Sequence, residues 1–329
     1  MEMIGIAETG LVASRIGLGT WSIGGWMWGG ADDRESIRTI HAALDGGITL
    51  IDTAPVYGFG HAERVVGRAL AEDNRRHRVV LATKAGLDWG PDEKPFRNAS
   101  RGRIVAEVEA SLRRLGTDVI DLYQIHWPDR GTPAAETAAA MDALWRAGKI
   151  RAVGVSNHAP AEMEAFRAHG PLHAAQPPYN LFERGIEADV LPYCRRTGIT
   201  TLVYGAVCRG LLAGRITADT RFEGDDLRRA DPKFAPDARR RYLAAVHALD
   251  AFARDRYGKR VVHLALRWLL DRPGVGIALW GARHPGQLDP LAGIGGWSLD
   301  GAAMAEIDAI LARHLPVAIG PEFMAPPGG

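Results

Sequence analysis

The 329-residue sequence predicts one (β/α)8 TIM barrel spanning residues 1–329 as a single domain, and three observations predict it. Short apolar runs alternate with longer amphipathic ones along the whole chain. The short runs are rich in Val, Ile and Leu and nearly continuous in their apolarity, the mark of parallel strands buried on both faces. No long linker interrupts the alternation, and an α/β barrel routinely takes about 250 residues or more as one domain.

Taken in order, the strand-like runs are Ile48–Asp52, Arg78–Thr83, Val119–His126, Ile150–Ser156, Ile199–Tyr204 and Val275–Trp280. Gly17-Leu18-Gly19 and His173–Gln176 supply the remaining two through weaker signals. Between them, Ile104, Val108, Leu112 and Leu115 recur at helical spacing, and Gly116 follows as a C′ glycine. Ala134–Ala147 ends at Gly148 in the same way. Further helices are expected at Arg34–Asp45, Ala62–Ala69, Pro160–His169, Asp189–Thr197, Arg239–Tyr257 and Leu299–His314. The longest irregular stretch is Thr217–Asp237, and a loop of that length in a compact domain is usually functional or disordered.

Composition narrows the partners. The formal net charge is +1, which argues against nucleic acid or an anionic membrane. Basic runs such as Arg75-Arg76-His77-Arg78 and Arg239-Arg240-Arg241 sit beside acidic residues and read as solvated faces. Cys194 and Cys208 are too few for a disulfide framework and lack metal-site spacing, so a reducing cytoplasm fits best. Met1-Glu2-Met3-Ile4-Gly5 has neither the basic nor the apolar region of a signal peptide. No run approaches the ~18–20 apolar residues of a spanning helix. The surface pattern leaves a homo-oligomer open.

In such a barrel the C-terminal ends of the strands face the active site. The second barrel strand ends in Asp52-Thr53-Ala54, with Tyr57 shortly after. The third ends in Thr83-Lys84 and the fourth in Gln124-Ile125-His126-Trp127. Asp, Tyr, Lys and His from successive strands make a proton-donating set. Reduction of a carbonyl by hydride leaves an alkoxide that must be protonated. A free Tyr, with pKa ~10, is a poor acid near neutrality. A nearby Lys ammonium is expected to lower that pKa, and a buried carboxylate keeps the Lys charged. This makes Tyr57 the acid, Lys84 its tuner and Asp52 the partner of Lys84. His126 is expected to orient the carbonyl oxygen and to share in the proton transfer. Each residue alone has a duller explanation, as cap, surface charge or satisfied core group; it is the four together that point to chemistry.

The segments Ile51–Gly58, Ala82-Thr83-Lys84, Asp118–His126 and Gly148–Asn157 occur in an order and spacing that resemble the aldo-keto reductase superfamily. The resemblance runs through Gln176–Asn180 to Gly281-Ala282-Arg283, essentially end to end. Gly24–Gly30 and the tail Gly320–Pro327 are similar to a bacterial general-stress branch related to inositol-operon reductases. The resemblance implies the same four roles for Asp52, Tyr57, Lys84 and His126.

It also implies NADP(H). Gly17-Leu18-Gly19 lacks the third glycine of a dinucleotide fingerprint. The family instead lays the cofactor across the barrel mouth. By that resemblance Ser156, Asn157 and Gln176 hold the nicotinamide carboxamide and Tyr204 stacks on the ring. Arg209, Gly210 and Leu212 lie in a segment whose backbone N–H groups meet the pyrophosphate. Gly281 and Arg283 meet the adenosine 2′-phosphate, and Gln287 the adenosine. Arg283 favours NADPH over NADH, since a guanidinium fork suits a phosphate. Pro290 and Leu291 depart from the Glu-Asn of many members, as does Gly205-Ala206-Val207 from their Ser-Pro-Leu.

Trp21, Trp26, Trp28, Trp89 and Trp127 fall in loops or strand ends at the mouth, with Trp21 and Trp127 nearest the carbonyl. An aromatic wall suits small aldehydes and aromatic carbonyls, and admits sugars. The predicted activity is therefore reversible reduction of small aldehydes or ketones. The alternatives are an alcohol or sugar dehydrogenase working in the oxidative direction, a cofactor-sensing subunit attached to a membrane partner, and a metal-dependent hydrolase. No His-x-His supports the last.

Overall fold

The computed structural model describes residues 1–327. A hairpin opens the chain, β1 (Met3–Gly5) antiparallel to β2 (Val12–Ser14). Then follow β3 (Ile16–Gly19), α1 (Asp33–Asp45), β4 (Leu50–Asp52), α2 (His61–Glu72) and β5 (Val80–Ala85). A second hairpin, β6 (Leu87–Trp89) and β7 (Pro95–Arg97), precedes α3 (Arg101–Leu115), β8 (Ile120–Ile125), α4 (Ala134–Arg146) and β9 (Ile150–Ser156). The chain continues through α5 (Pro160–Arg167), β10 (Ala174–Gln176), α6 (Val190–Thr197) and β11 (Thr200–Val203). It ends with α7 (Pro236–Tyr257), α8 (Val261–Asp271), β12 (Ile277–Gly281) and α9 (Gly301–His314). The eight parallel strands β3, β4, β5, β8, β9, β10, β11 and β12 close in that order, Ala278 of β12 pairing with Ile16 of β3.

Strand parity decides what faces inward, because successive side chains point to opposite faces. Leu50, Val80, Ala82, Leu122, Ala152, Ala174, Leu202, Ile277 and Leu279 form the barrel interior. Their chain neighbours Ile51, Leu81, Tyr123, Val153, Val203 and Ala278 pack outward under the helices. Ile6, just after β1, and Ala13 of β2 belong to the inner cluster and plug the N-terminal end. Arg15 clamps that end from below, donating to the carbonyls of Leu270, Val275 and Gly276. Two residues beyond the inner layer, parity delivers Asp52, Lys84, Gln124, Gln176 and Tyr204 to the other end, where the loops are free to build a site.

The helices start and stop where local chemistry requires. The Asp32 carboxylate accepts from Glu35 N–H at the start of α1, and Ser100 does the same for Arg103 at α3. Gly116 ends α3 at φ 64°, a left-handed conformation that glycine adopts freely. The one helix absent from the sequence expectation is α8. Nine of its eleven residues, from Val261 to Leu270, are buried, and its polar side is a narrow stripe of His263, Arg267 and Asp271. The two hairpins were likewise unexpected, their strands being three residues each. Within Thr217–Asp237 the chain makes short 3-10 turns at Leu227–Arg229 and Pro232–Phe234, and α7 begins at Pro236, ahead of the expected Arg239.

Candidate active site

The four residues expected to act together do meet. Lys84 is fully buried on β5. Its Nζ donates to Asp52 Oδ2 at 2.7 Å and to the Thr53 carbonyl at 3.0 Å, and lies 3.3 Å from the Tyr57 hydroxyl. The His126 ring stands edge-on to Tyr57, 5.7 Å between centroids. The Tyr57 ring stacks against Trp21 at 6.0 Å. Tyr57 sits on a tight turn after β4, held by a close backbone contact. A Cβ on Gly24 would come within 2.5 Å of the Tyr57 carbonyl carbon, so only glycine fits there.

The electrostatics correct one expectation. Burial, and next the negative charge of Asp52, push the Tyr57 hydroxyl well above its ordinary range rather than below it. The Lys84 ammonium, 3.3 Å away and paired with Asp52, does not reverse these two effects. Burial also moves Lys84 below its usual value, opposed by the Asp52 charge. Tyr57 is therefore a phenol throughout the neutral range. It can still serve as the acid, because an alkoxide is far more basic than a phenolate. Burial and the Lys84 charge hold His126 well below the usual imidazole range. A neutral imidazole offers one N–H donor, which suits orienting a carbonyl oxygen and does not suit supplying the proton.

These groups open on a cavity of about 620 Å³ at the barrel mouth. Asp52, Tyr57 and His126 line it together with Ser156, Asn157, Gln176 and Tyr204. The polar residues interlock. Ser156 Oγ donates to the Gln176 carbonyl at 2.8 Å, and Tyr204 Oη donates to Asn157 Oδ1 at 2.9 Å. Asn157 itself adopts φ 63°, a left-handed conformation that Asn tolerates, and its amide reaches the His126 carbonyl at 3.0 Å. Trp21 and Trp127 line the cavity as expected, and so do Trp26 and Trp28. Trp89 does not; it packs on Phe59 and under Arg103.

Farther along the same cavity stand Arg215, Arg228, Arg260, Arg283, Gly281 and Gln287. Arg283 donates to the carbonyls of Trp28 and Gly30 at 2.9 and 2.5 Å, and its N–H meets Gln287 Oε1 at 2.6 Å. It thus ties the Gly24–Gly30 loop across the mouth. Asp225 ties it from the other side, accepting from Met27 and Gly29 N–H at 2.6 and 2.8 Å. Sequence reasoning missed Arg215, Arg228 and Arg260. Arg228 lies in the long irregular stretch, whose length was the available signal. It also missed Met324 and Pro326, through which the C-terminal tail reaches the cavity.

Two carried-over positions have their backbone N–H groups engaged within the protein. Leu212 is wholly buried in the outer core and lines no part of the cavity. The N–H groups of Gly210 and Leu212 both turn back to the Val207 carbonyl, at 3.0 and 3.1 Å, so neither is free for a phosphate. The Arg209 side chain is buried against Glu183 and Asp231, although the residue lines the cavity.

A closed barrel with a Lys–Asp–Tyr–His set at the C-terminal strand ends defines a class, an oxidoreductase that moves hydride and proton at a carbonyl or carbinol carbon. The chain belongs to the aldo/keto reductase family, whose pattern matches residues 15–312. It is 59% identical over 327 residues to "Aldo-keto reductase YhdN" of Bacillus subtilis (strain 168), covering 99% of this chain and 98% of that one. It is 38% identical over 304 residues to the "NADH-specific methylglyoxal reductase" of Escherichia coli (strain K12), 88% of this chain and 91% of that one. Among solved structures it is similar to the glycerol dehydrogenase AKR11B4 from Gluconobacter oxydans. That match has a TM-score of 0.89 and 54% identity, over 98% of this chain and 99% of the other.

Proposed function

We propose that the protein is an NADPH-dependent aldo-keto reductase acting reversibly on small aldehydes or ketones. The observation that carries this is the Lys84 ammonium in contact with both the Asp52 carboxylate and the Tyr57 hydroxyl, with His126 beside them. The donor set fits a nicotinamide dinucleotide phosphate. An amide-rich patch (Ser156, Asn157, Gln176) adjoins the tetrad, and Arg215, Arg228, Arg260 and Arg283 are among the residues lining the same cavity, an arrangement suited to a carboxamide at one end and phosphates at the other. When bound, that cofactor supplies or accepts the hydride.

The side chains do the rest. His126 donates to the carbonyl oxygen and fixes its position. As negative charge develops there, the Tyr57 O–H delivers its proton, and the Lys84 ammonium stabilises the phenolate that remains. Asp52 keeps Lys84 charged in a dry site. Trp21, Trp28 and Trp127 exclude water around the reacting atoms. In the oxidative direction the same groups work in reverse, and the 54% identity to a glycerol dehydrogenase favours testing polyols as well. Cys194 and Cys208, both free thiols, suit a reducing compartment such as the cytoplasm. The narrower placement beside the general-stress branch rests on the Gly24–Gly30 loop and the tail, both of which reach the cavity.

The test is NADPH consumption with a panel of aldehydes, ketones and sugars, NADP+ reduction with the matching alcohols, and an NADH control. Carbonyl-dependent oxidation of NADPH supports the proposal. Negligible turnover in both directions despite tight NADPH binding would overturn it in favour of a cofactor sensor.

A further inference from the structure

Behind the tetrad lies a buried amide that the chemistry above does not use. Gln124 stands on β8, wholly buried, and lines no part of the cavity. Its Nε2 donates to Asp52 Oδ1 at 3.2 Å. Its Oε1 accepts from Gln176 Nε2 at 3.2 Å. Gln176 Nε2 in turn donates to the same Asp52 Oδ1 at 2.8 Å. The three side chains close a triangle. Carboxylate chemistry fixes both amide orientations, because the reverse of either would set a carbonyl oxygen against the Asp52 carboxylate. Space for Gln124 is provided by Gly154 on the neighbouring strand, where a Cβ would lie 2.8 Å from Gln124 Cγ.

The consequence falls on Gln176, which does face the cavity. Its amide nitrogen has two hydrogens, one given to Asp52 and one to Gln124. The polar atom left for a ligand is Oε1, which only accepts. Without Gln124 the second hydrogen would be unpaired, and the amide, still held to Asp52 by the first, could offer it to a ligand. Gln124 also shares the Asp52 carboxylate with Lys84, so one small network holds both the pyridine subsite and the proton-donating pair.

We propose that Gln124 is a positioning residue that fixes the Gln176 amide as a pure acceptor, so that the cavity selects a pyridine cofactor bearing an N–H donor on its ring substituent. This rests on the reductase reading, and adds to it a reason why the carboxamide is recognised by its NH2. The analogue 3-acetylpyridine adenine dinucleotide phosphate keeps the carbonyl and replaces NH2 by CH3. The thionicotinamide analogue keeps NH2.

The experiment measures dissociation constants of NADP+ and both analogues by tryptophan fluorescence, for the wild type, Gln124→Met and Gly154→Ala. Wild type is expected to bind NADP+ and the thionicotinamide analogue alike, and the acetylpyridine analogue roughly five-fold more weakly, the scale of one hydrogen bond. In Gln124→Met, which removes both polar ends at similar volume, that ratio should fall to about one. Gly154→Ala, which crowds Gln124 without deleting it, should lower the ratio in the same direction and stands in if Gln124→Met does not fold. Equal binding of NADP+ and the acetylpyridine analogue by wild type overturns the proposal, as does an unchanged ratio in the variants. Failure of wild type to bind any of the three has a different signature. It removes the cofactor reading and this inference with it.

Discussion

Replacing Asp52 by Asn tests the buried ion pair directly. Lys84 Nζ is fully buried and has one carboxylate within reach, 2.7 Å away. Removing one partner of such a pair costs about 3–5 kcal/mol, because a desolvated charge is left unmatched. Lys84 can escape by losing its proton. At pH 7 that costs at most roughly 5 kcal/mol, about 1.4 kcal/mol for each unit below its free value of ~10.4. The two bounds agree. With an unfolding entropy of about 2.1 cal/mol/K per residue, a chain of 329 residues loses roughly 4–7 °C in Tm. The sign of the pH dependence follows from the direction of the shift. The folded-state value of Lys84 is already depressed, and losing Asp52 depresses it further. The unfolded variant then binds more protons than the folded one, so its stability rises with pH up to the free lysine value. Differential scanning calorimetry of wild type and Asp52→Asn between pH 6 and about pH 10 reads both effects. A Tm deficit that is large at pH 6–7 and narrows towards pH 10 is expected. A deficit independent of pH, or a Tm equal to wild type, would refute the reasoning.

Three other outcomes follow from the same geometry. On the proposed cofactor reading, Arg283→Ala removes a guanidinium from the arginine-lined end of the cavity and should weaken NADPH binding by roughly 10- to 150-fold while leaving NADH nearly unchanged, measured by fluorescence titration. Gly24→Ala drives a Cβ into the Tyr57 backbone and should cost about 1–3 kcal/mol of stability by thermal melts and lower kcat through displacement of Tyr57. Because burial and Lys84 hold His126 well below 6.5, the pH profile of kcat/KM should show no ionisation near 6.5, and an acid limb centred there would contradict the neutral imidazole.

Much of this was legible in the sequence because the barrel obeys two simple periods. Near-continuous apolar runs located six of the eight strands, and weaker signals at Gly17-Leu18-Gly19 and His173–Gln176 supplied the other two. The tetrad could be read because its members fall at strand ends or just beyond. Helix α8 was missed although His263, Arg267 and Asp271 recur at helical spacing, because that stripe is narrow and the rest of its short run is almost continuously apolar. The direction of the Tyr57 shift was misread because it turns on burial and on which charge Asp52 neutralises, quantities that spacing does not contain. That the Gly210 and Leu212 N–H groups bond the Val207 carbonyl could not be read, because glycine marks a tight turn without saying which way its donors point. Arg228 and the tail residues Met324 and Pro326 reach the cavity only through long-range folding of irregular segments, which carry no period at all.

The most direct test of the central claim is Tyr57→Phe, assayed for NADPH-dependent carbonyl reduction beside NADPH affinity. The account predicts turnover lower by roughly two to four orders of magnitude, with the dissociation constant barely changed. Turnover within a few-fold of wild type would contradict it and place the proton donor elsewhere.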